Sequence, residues 1–506
     1  MRAPQELQAT VTTETVKIQD QRLILQAHIC LDLPMPKHDA DLPRLLEASI
    51  ERGGQILKRR LFQQAVEQAD AELILACRHG KHGRGIVCRG TTPFTFKTVF
   101  GTVKLRRRRI EHKADGTTEV PSAHAWQTPR QVALTPGLRD AACDGLLRDS
   151  AQQVVARIDA RAGEAAVLAK TTVLEIVHEE RRRLQAAARA RAEAVYAREP
   201  EALRLFVPAP APDDEDAESG AHDDGASEAE EESAAPALIG FPGSPEDPPE
   251  VKRDHPREVD PDSVLVELDE VKVHAQAQTG RKQIQALTAV VMIAGHCWHL
   301  AAATTQELTY QVGALLAVLG VHRGERRLLV LADGARWIRD WFEALGVEGG
   351  TMIVCWWHLV KRCGQDLSRA CRGREHRRGI ESAVLQALWH GRVDEALGVL
   401  RAHADEMKNR EALEELIGYL EARRPYLPDY AARRRAGLWI ASNRVEKFND
   451  WSVSARCKHR GMEWTEAGVV SLAVLEAARR NRELPTWRAK HSLPAWTIPR
   501  SRKKVA

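Results

Sequence analysis

The sequence of 506 residues contains no Cys-x2-Cys pair, and its nine cysteines, an odd number, are scattered from Cys30 to Cys457. That pattern implies no disulfide framework and suits a reducing compartment. The opening stretch MRAPQELQATVTTETVKIQD lacks an apolar h-region, and the longest apolar run, near ALTAVVMIAG, is far short of a membrane span. These absences predict a cytoplasmic protein with no membrane partner. Charge is segregated: positions 211–250 hold fourteen Asp and Glu and no Lys or Arg. Against a whole-chain formal charge of +4, this leaves +18 on the other 466 residues. A surplus of that size points to a polyanionic partner, nucleic acid above all, with plain solubility as the other reading.

Positions 208–250, rich in Pro, Ser, Ala and acid, hold too little apolar area to offset chain entropy, so positions 206–260 are expected to be an acidic disordered linker. It is either a passive connector or an acidic segment that competes with DNA for basic surface. Upstream, apolar residues at helical spacing predict a helix from Leu42 to Ala76, and the Thr, Phe and Val of TPFTFKTVFGTVKLRRRRI predict two strands meeting at Phe100-Gly101. Between these, CRHGKHGRGIVC offers Cys77, His79, His82 and Cys88, readable as zinc ligands or as a glycine-rich basic loop. Positions 136–199 read as helical with one break. The short DSAQQVVARIDAR helix, the turn in AGEAAVLA and the long helix opening with Lys170, Thr171 and Thr172 fit a helix-turn-helix offering polar side chains to the major groove; ordinary helical packing explains the same pattern.

The second half predicts an α/β fold. Positions 263–275, 283–295 and 297–305 read as three strands of an antiparallel meander. A helix follows, then the buried strand RRLLVLAD, the helix GARWIRDWFEALG, the strand GTMIVCWWH, and further helices. That order matches an RNase H-like mixed sheet, in which the first and fourth strands lie side by side. Asp269, late in the first strand, and Asp333, closing the fourth, would then face each other. Glu446 lies one turn into a helix that begins near Ser442-Asn443, whose side chains would cap it, and is followed by Lys447, Arg456 and Lys458. Three such carboxylates suit two Mg2+ or Mn2+ ions roughly 3.5–4 Å apart, the arrangement that promotes phosphodiester chemistry. The first acid is ambiguous: Glu267 shares the face of Asp269 under strand alternation and is the alternative ligand.

In their order, VELDEVKV, VLADGARWI, CWWHLVK and SNRVEKFNDWSVSARCKHRGMEW resemble DDE transposases of bacterial insertion sequences, in particular the ISKra-like group and its mutator-like relatives. Asp269, Asp333 and Glu446 match the DDE triad. Asp333-Gly334 followed by Trp337-Ile338 is one distinctive match. Cys355-x2-His358 looks like the family's (Cys/Asp)-x2-His motif. Arg456, Lys458, Gly461, Met462 and Trp464 follow R-x-K-x-x-G-M-x-W, and TVFGTVKLRRR resembles its T-x-F-G-x-V strand pair. The likeness spans most of positions 50–480, and nothing in the family pattern assigns a task to the acidic segment.

The resemblance implies a metal-dependent enzyme that binds its element's terminal inverted repeats, hydrolyses DNA ends and joins a 3′-hydroxyl to double-stranded target DNA, working as a homodimer or a larger synaptic oligomer. His358 would bind the scissile phosphate or enter the metal shell, or else be a structural histidine at a helix start. Arg456, Lys458 and Lys447 would contact DNA, as would Lys170, Thr171 and Thr172. The helical stretch between His358 and Glu446 resembles an all-helical insertion; Trp356, Trp357 and Trp389 would be core residues or contacts to flipped bases. The implied organisation is a mainly helical N-terminal region with a small β element (1–135), a helix-turn-helix-like region (136–205), the linker, a catalytic domain (261–360 and 440–480) interrupted by the helical insertion (361–439), and a basic tail (481–506). A DNA-binding regulator without catalysis and a nuclease without strand transfer are the rival readings.

Overall fold

The computed structural model describes residues 8–19, 22–32, 42–79, 85–128, 131–207, 262–458 and 462–498. The acidic segment 211–250, His82 and Gly461 lie outside the described residues. The chain divides into two compact units, Met1–Glu180 and Arg181–Ala506.

In the first unit, β1 (Gln8–Gln19) and β2 (Arg22–Asp32) pair as an antiparallel hairpin. The sequence reading had no strands here, although ATVTTETVKIQ has the β-branched density that favours them. Helix α1 (Leu42–His79) runs past Ala76, so Cys77 and His79 belong to a helix end rather than to a loop. Strands β3 (Ile86–Thr98) and β4 (Gly101–His112) turn at Phe100-Gly101 as expected, with Gly101 at φ +109°. With β5 (Thr118–Glu119) and β6 (Val132–Leu134) they form a sheet of order β5-β4-β3-β6, and α2 (Pro121–Ala125) lies between β5 and β6 in sequence. Alternation buries Phe94, Phe96, Val103 and Leu105 together against Phe62 and Val66 of α1.

Three helices follow, α3 (Pro136–Leu146), α4 (Ala151–Ala162) and α5 (Lys170–Tyr196), so the stretch has two breaks where the sequence predicted one. A Ser150–Gln153 capping box starts α4, and Gly163 at φ +62° ends it. The connection from α4 to α5, residues 163–169, is longer than the three or four residues usual in a helix-turn-helix.

The second unit, after α6 (Pro200–Phe206), is built on β7 (Ser263–His274), β8 (Gln283–Ile293) and β9 (His296–Ala302), the expected antiparallel meander. Then come α7 (Thr305–Val318), β10 (Arg327–Ala332), α8 (Arg336–Leu345) and β11 (Thr351–Val354). The sheet order is β11-β10-β7-β8-β9, with β10 parallel to both β7 and β11, so the first and fourth strands of the unit are neighbours. The fold is thus mixed α/β.

The strand predicted over GTMIVCWWH stops at Val354, and Trp356 opens the helix α9 (Trp356–Ala370). Aromatic β-propensity misled here, because packing won. Trp356 donates its backbone N–H to Ile440, outside the sheet, and its ring meets Trp389 edge-on at 4.8 Å. Helices α10 (Arg374–Trp389), α11 (Val393–Ala402), α12 (Arg410–Arg423) and α13 (Tyr430–Arg435) share this core. Trp356, Trp357 and Trp389 are buried within it, so they are core residues and not contacts for bases.

Helix α14 (Asn443–Asn449) continues through a π-helical turn (Asp450–Ser454) into α15 (Ala455–Cys457). Helix α16 (Glu466–Arg480) packs on β8 and β9, and α17 (Leu484–Lys490) follows. All nine cysteines are unpaired. Among the described residues no helix is long and apolar enough to cross a membrane.

Candidate active site

Strand β7 carries three acids within four residues, and each has a different environment. Glu267 is fully buried, and its Oε2 accepts the backbone N–H groups of Arg444 (2.8 Å) and Val445 (2.7 Å) at the start of α14. The helix carrying Glu446 is therefore capped by a strand carboxylate, not by Ser442 and Asn443 as the sequence suggested. Ser442 makes no side-chain cap, and its backbone N–H points to Cys355 Sγ at 3.3 Å. Burial pushes the Glu267 carboxyl up to about 8, against the pull of the two N–H donors. Glu270 accepts from Trp337 Nε1 of α8, and burial raises its carboxyl as well.

Asp269 is the acid held open to the other candidates. Its Oδ2 accepts from Asn449 Nδ2 at 2.7 Å and its Oδ1 from the Glu270 N–H at 2.9 Å. Asn449 Oδ1 in turn accepts from Thr288 Oγ1 at 2.7 Å. Burial raises the Asp269 carboxyl to about 7, helped by the negative charges of Asp333 and Glu446 and opposed by His358.

The parallel register runs to the pair Glu267–Leu331; Asp269 lies two residues further along β7, and Asp333 follows the last residue of β10. Asp333 Oδ1 accepts from the Ala335 N–H at 2.8 Å, and Gly334, at φ +81°, turns the chain away into α8. A Cβ at Gly334 would sit 3.0 Å from Arg423 Nε and 3.2 Å from Val354. Arg423 stacks on Tyr419 at 3.8 Å, and the Tyr419 hydroxyl donates to the Asp333 carbonyl at 3.3 Å. Ile338 and Trp341 are buried in the core that α8 shares with the sheet strands.

His358 lies in the first turn of α9 and Cys355 immediately precedes that helix. Burial works against a charged imidazole, but the Cys355 thiol, Asp269 and Asp333 outweigh it and push His358 up to about 10. Burial also raises the Cys355 thiol, yet His358 and the Ser442 N–H bring it below its ordinary value. Asp333, Glu446 and His358 thus lie within electrostatic reach of Asp269. The tightest convergence of donor atoms is different. Among the described residues, Cys355, His358 and Glu446 bring one ligand atom each within 4.8 Å of one another, and the three acids do not form such a set.

The remaining candidates spread outward. Lys447 is exposed, with Nζ 4.8 Å from the Trp451 ring; Arg456 is half-buried, 6.0 Å from the Trp464 ring; Lys458 is exposed. Lys170 and Thr171 are exposed and Thr172 half-buried at the start of α5 in the first unit. The candidate zinc set of Cys77, His79, His82 and Cys88 cannot be assembled from the described side chains, because those of His79 and His82 lie outside them. Sequence reasoning missed Asn449, Thr288, Tyr419 and Arg423. Only Asn449 carried a local signal, being three residues after Glu446 and so on the same helical face. Neither a comparison with protein-family models nor one with curated proteins finds a match for this chain.

Proposed function

We propose that the protein is a DDE transposase of an insertion sequence, built on an RNase H-like catalytic domain with an all-helical insertion between β11 and α14. The observation that carries this reading is Asp269 on β7 with Asp333 directly after the end of the neighbouring parallel strand β10, close enough to raise the Asp269 carboxyl, beside a helix that carries Glu446 and is anchored to β7 by Glu267. The strand order, with a meander followed by two parallel strands, supports the fold assignment. The helices from α10 to α13 support the insertion.

The donor set suits Mg2+ or Mn2+. Asp269, Asp333 and Glu446 offer hard oxygen ligands, and Asp269 feels the negative charge of both others, the potential a divalent cation neutralises. When bound, two such ions would supply Lewis-acid stabilisation of the attacking and leaving oxygens of a phosphodiester. The protein's own groups then orient and neutralise. Asn449 fixes the rotamer of Asp269, Gly334 clears the backbone beside Asp333, and His358 brings a positive charge beside both aspartates. Arg456, Lys458 and Lys447 follow Glu446 along the chain and would meet DNA phosphates, with Lys170, Thr171 and Thr172 contributing to terminal-repeat binding.

The test compares wild type with Asp333→Asn on terminal-repeat DNA in the presence of Mg2+. Cleavage and end-joining should fall on the order of 10²-fold or more while DNA binding persists. Equal joining by the variant would sink the assignment. Wild-type cleavage without joining would identify a nuclease, and binding without either reaction a regulator.

A further inference from the structure

We propose that Cys355, His358 and Glu446 form a binding site for a borderline-soft divalent cation, Zn2+ above all, chemically distinct from the carboxylate set and sharing Glu446 with it. One thiol, one imidazole and one carboxylate have donor atoms within 4.8 Å of one another. In a tetrahedral zinc centre, ligand atoms lie about 3.3–3.7 Å apart, so closing on an ion needs a contraction of about 1 Å. Thiolate and imidazole select zinc over magnesium, whose preference is for oxygen alone.

Each donor is held from a different direction. Cys355 donates its backbone N–H to Ala332 at the end of β10 (2.7 Å), and its sulfur receives the Ser442 N–H, the kind of outer contact that steadies a metal-bound thiolate. His358 is one turn further along α9. Its ring hydrogen-bonds the Cys355 thiol, and its Nδ1 is buried with no hydrogen-bond partner among the described residues. Glu446 comes from α14, whose start is clamped by Glu267. Three protein ligands leave the fourth tetrahedral position open.

Zinc held here takes Glu446 out of the carboxylate set, so zinc and magnesium compete. The competition rests on the transposase reading; the binding does not. The full-length chain, stripped of metal, is titrated with Zn2+ against a chromophoric chelator and with Co2+ to detect a cobalt–thiolate charge-transfer band, both without DNA. One equivalent of zinc should bind, with the cobalt band present. Cys355→Ser should abolish the band, and Cys355→Ser, His358→Gln and Glu446→Gln should each weaken zinc by about 10-fold or more. Circular dichroism melting establishes that each variant is folded, and the half-buried Glu446 provides the safest substitution. Zinc affinity unchanged in the folded variants, or absent in wild type, would overturn the site. A chain that binds zinc in this way but never cleaves DNA would overturn only the transposase reading.

Discussion

Glu267 uses one oxygen to accept two backbone N–H groups and leaves the other, Oε1, buried with no hydrogen-bond partner among the described residues. The cost of enclosing that charge explains its raised carboxyl, and Asp269 is raised alongside it. An acid whose folded value lies above its ordinary one holds its proton more tightly in the native state. Its stabilising contribution is complete below the ordinary values of 3.8 and 4.5, and is lost as pH rises through about 7 and about 8. Urea midpoints should therefore fall across this window in wild type, and Glu267→Gln, which cannot ionise, should flatten the upper part. A wild-type profile that does not decline there would contradict the assignment. Glu267→Ala removes the acceptor altogether and should cost about 1–3 kcal/mol by the same measurement.

At the level of elements, the α14 helix is fastened to the sheet at two points, by Glu267 at its start and by the Thr288–Asn449–Asp269 chain at its end. The π-helical turn begins at Asp450, directly after Asn449, so the helix changes pitch where it leaves the sheet contact. Asn449→Ala should lower DNA cleavage by about 10–100-fold with the fold retained, because it frees the Asp269 carboxylate from its orienting donor. Single-turnover rates alongside a melting curve would reveal this, and an unchanged rate would leave Asn449 a purely structural residue. The turn from β10 into α8 is equally constrained. Gly334→Ala should cost about 1–2 kcal/mol, since a Cβ meets both an unfavourable backbone angle and the Arg423 side chain. Chemical denaturation measures it directly.

For the whole molecule, the large core of the second unit joins the sheet to the helices that follow β11, through Trp356, Trp389 and Tyr430. Trp389→Ala should therefore destabilise that unit by about 3–5 kcal/mol, visible as an earlier unfolding transition. Charge is the other property of this scale. With +18 outside the acidic segment, affinity for duplex DNA should fall linearly in a plot of log affinity against log salt, as counterion release requires. An affinity indifferent to salt would remove phosphate contact as the basis of binding.

Much of this was legible from residue order. Alternating and buried apolar runs located β7, β8, β9 and β10 to within a few residues, and the acid after RRLLVLA marked the end of a strand. The error at GTMIVCWWH arose because Trp and Cys suit a strand locally, while the space they fill lies among helices distant in sequence. By itself, then, the sequence determined the periodicities, the segregation of charge and the inventory of reactive groups, because these depend on neighbours along the chain. Tertiary structure alone decided which of Glu267, Asp269 and Glu270 caps a helix and which faces the other acids. Strand alternation puts Glu267 and Asp269 on one face but says nothing of what packs there. The partner that separates them, Asn449, comes from 180 residues away. The same long-range packing set Cys355 and His358 beside Glu446, a juxtaposition that no local pattern encodes.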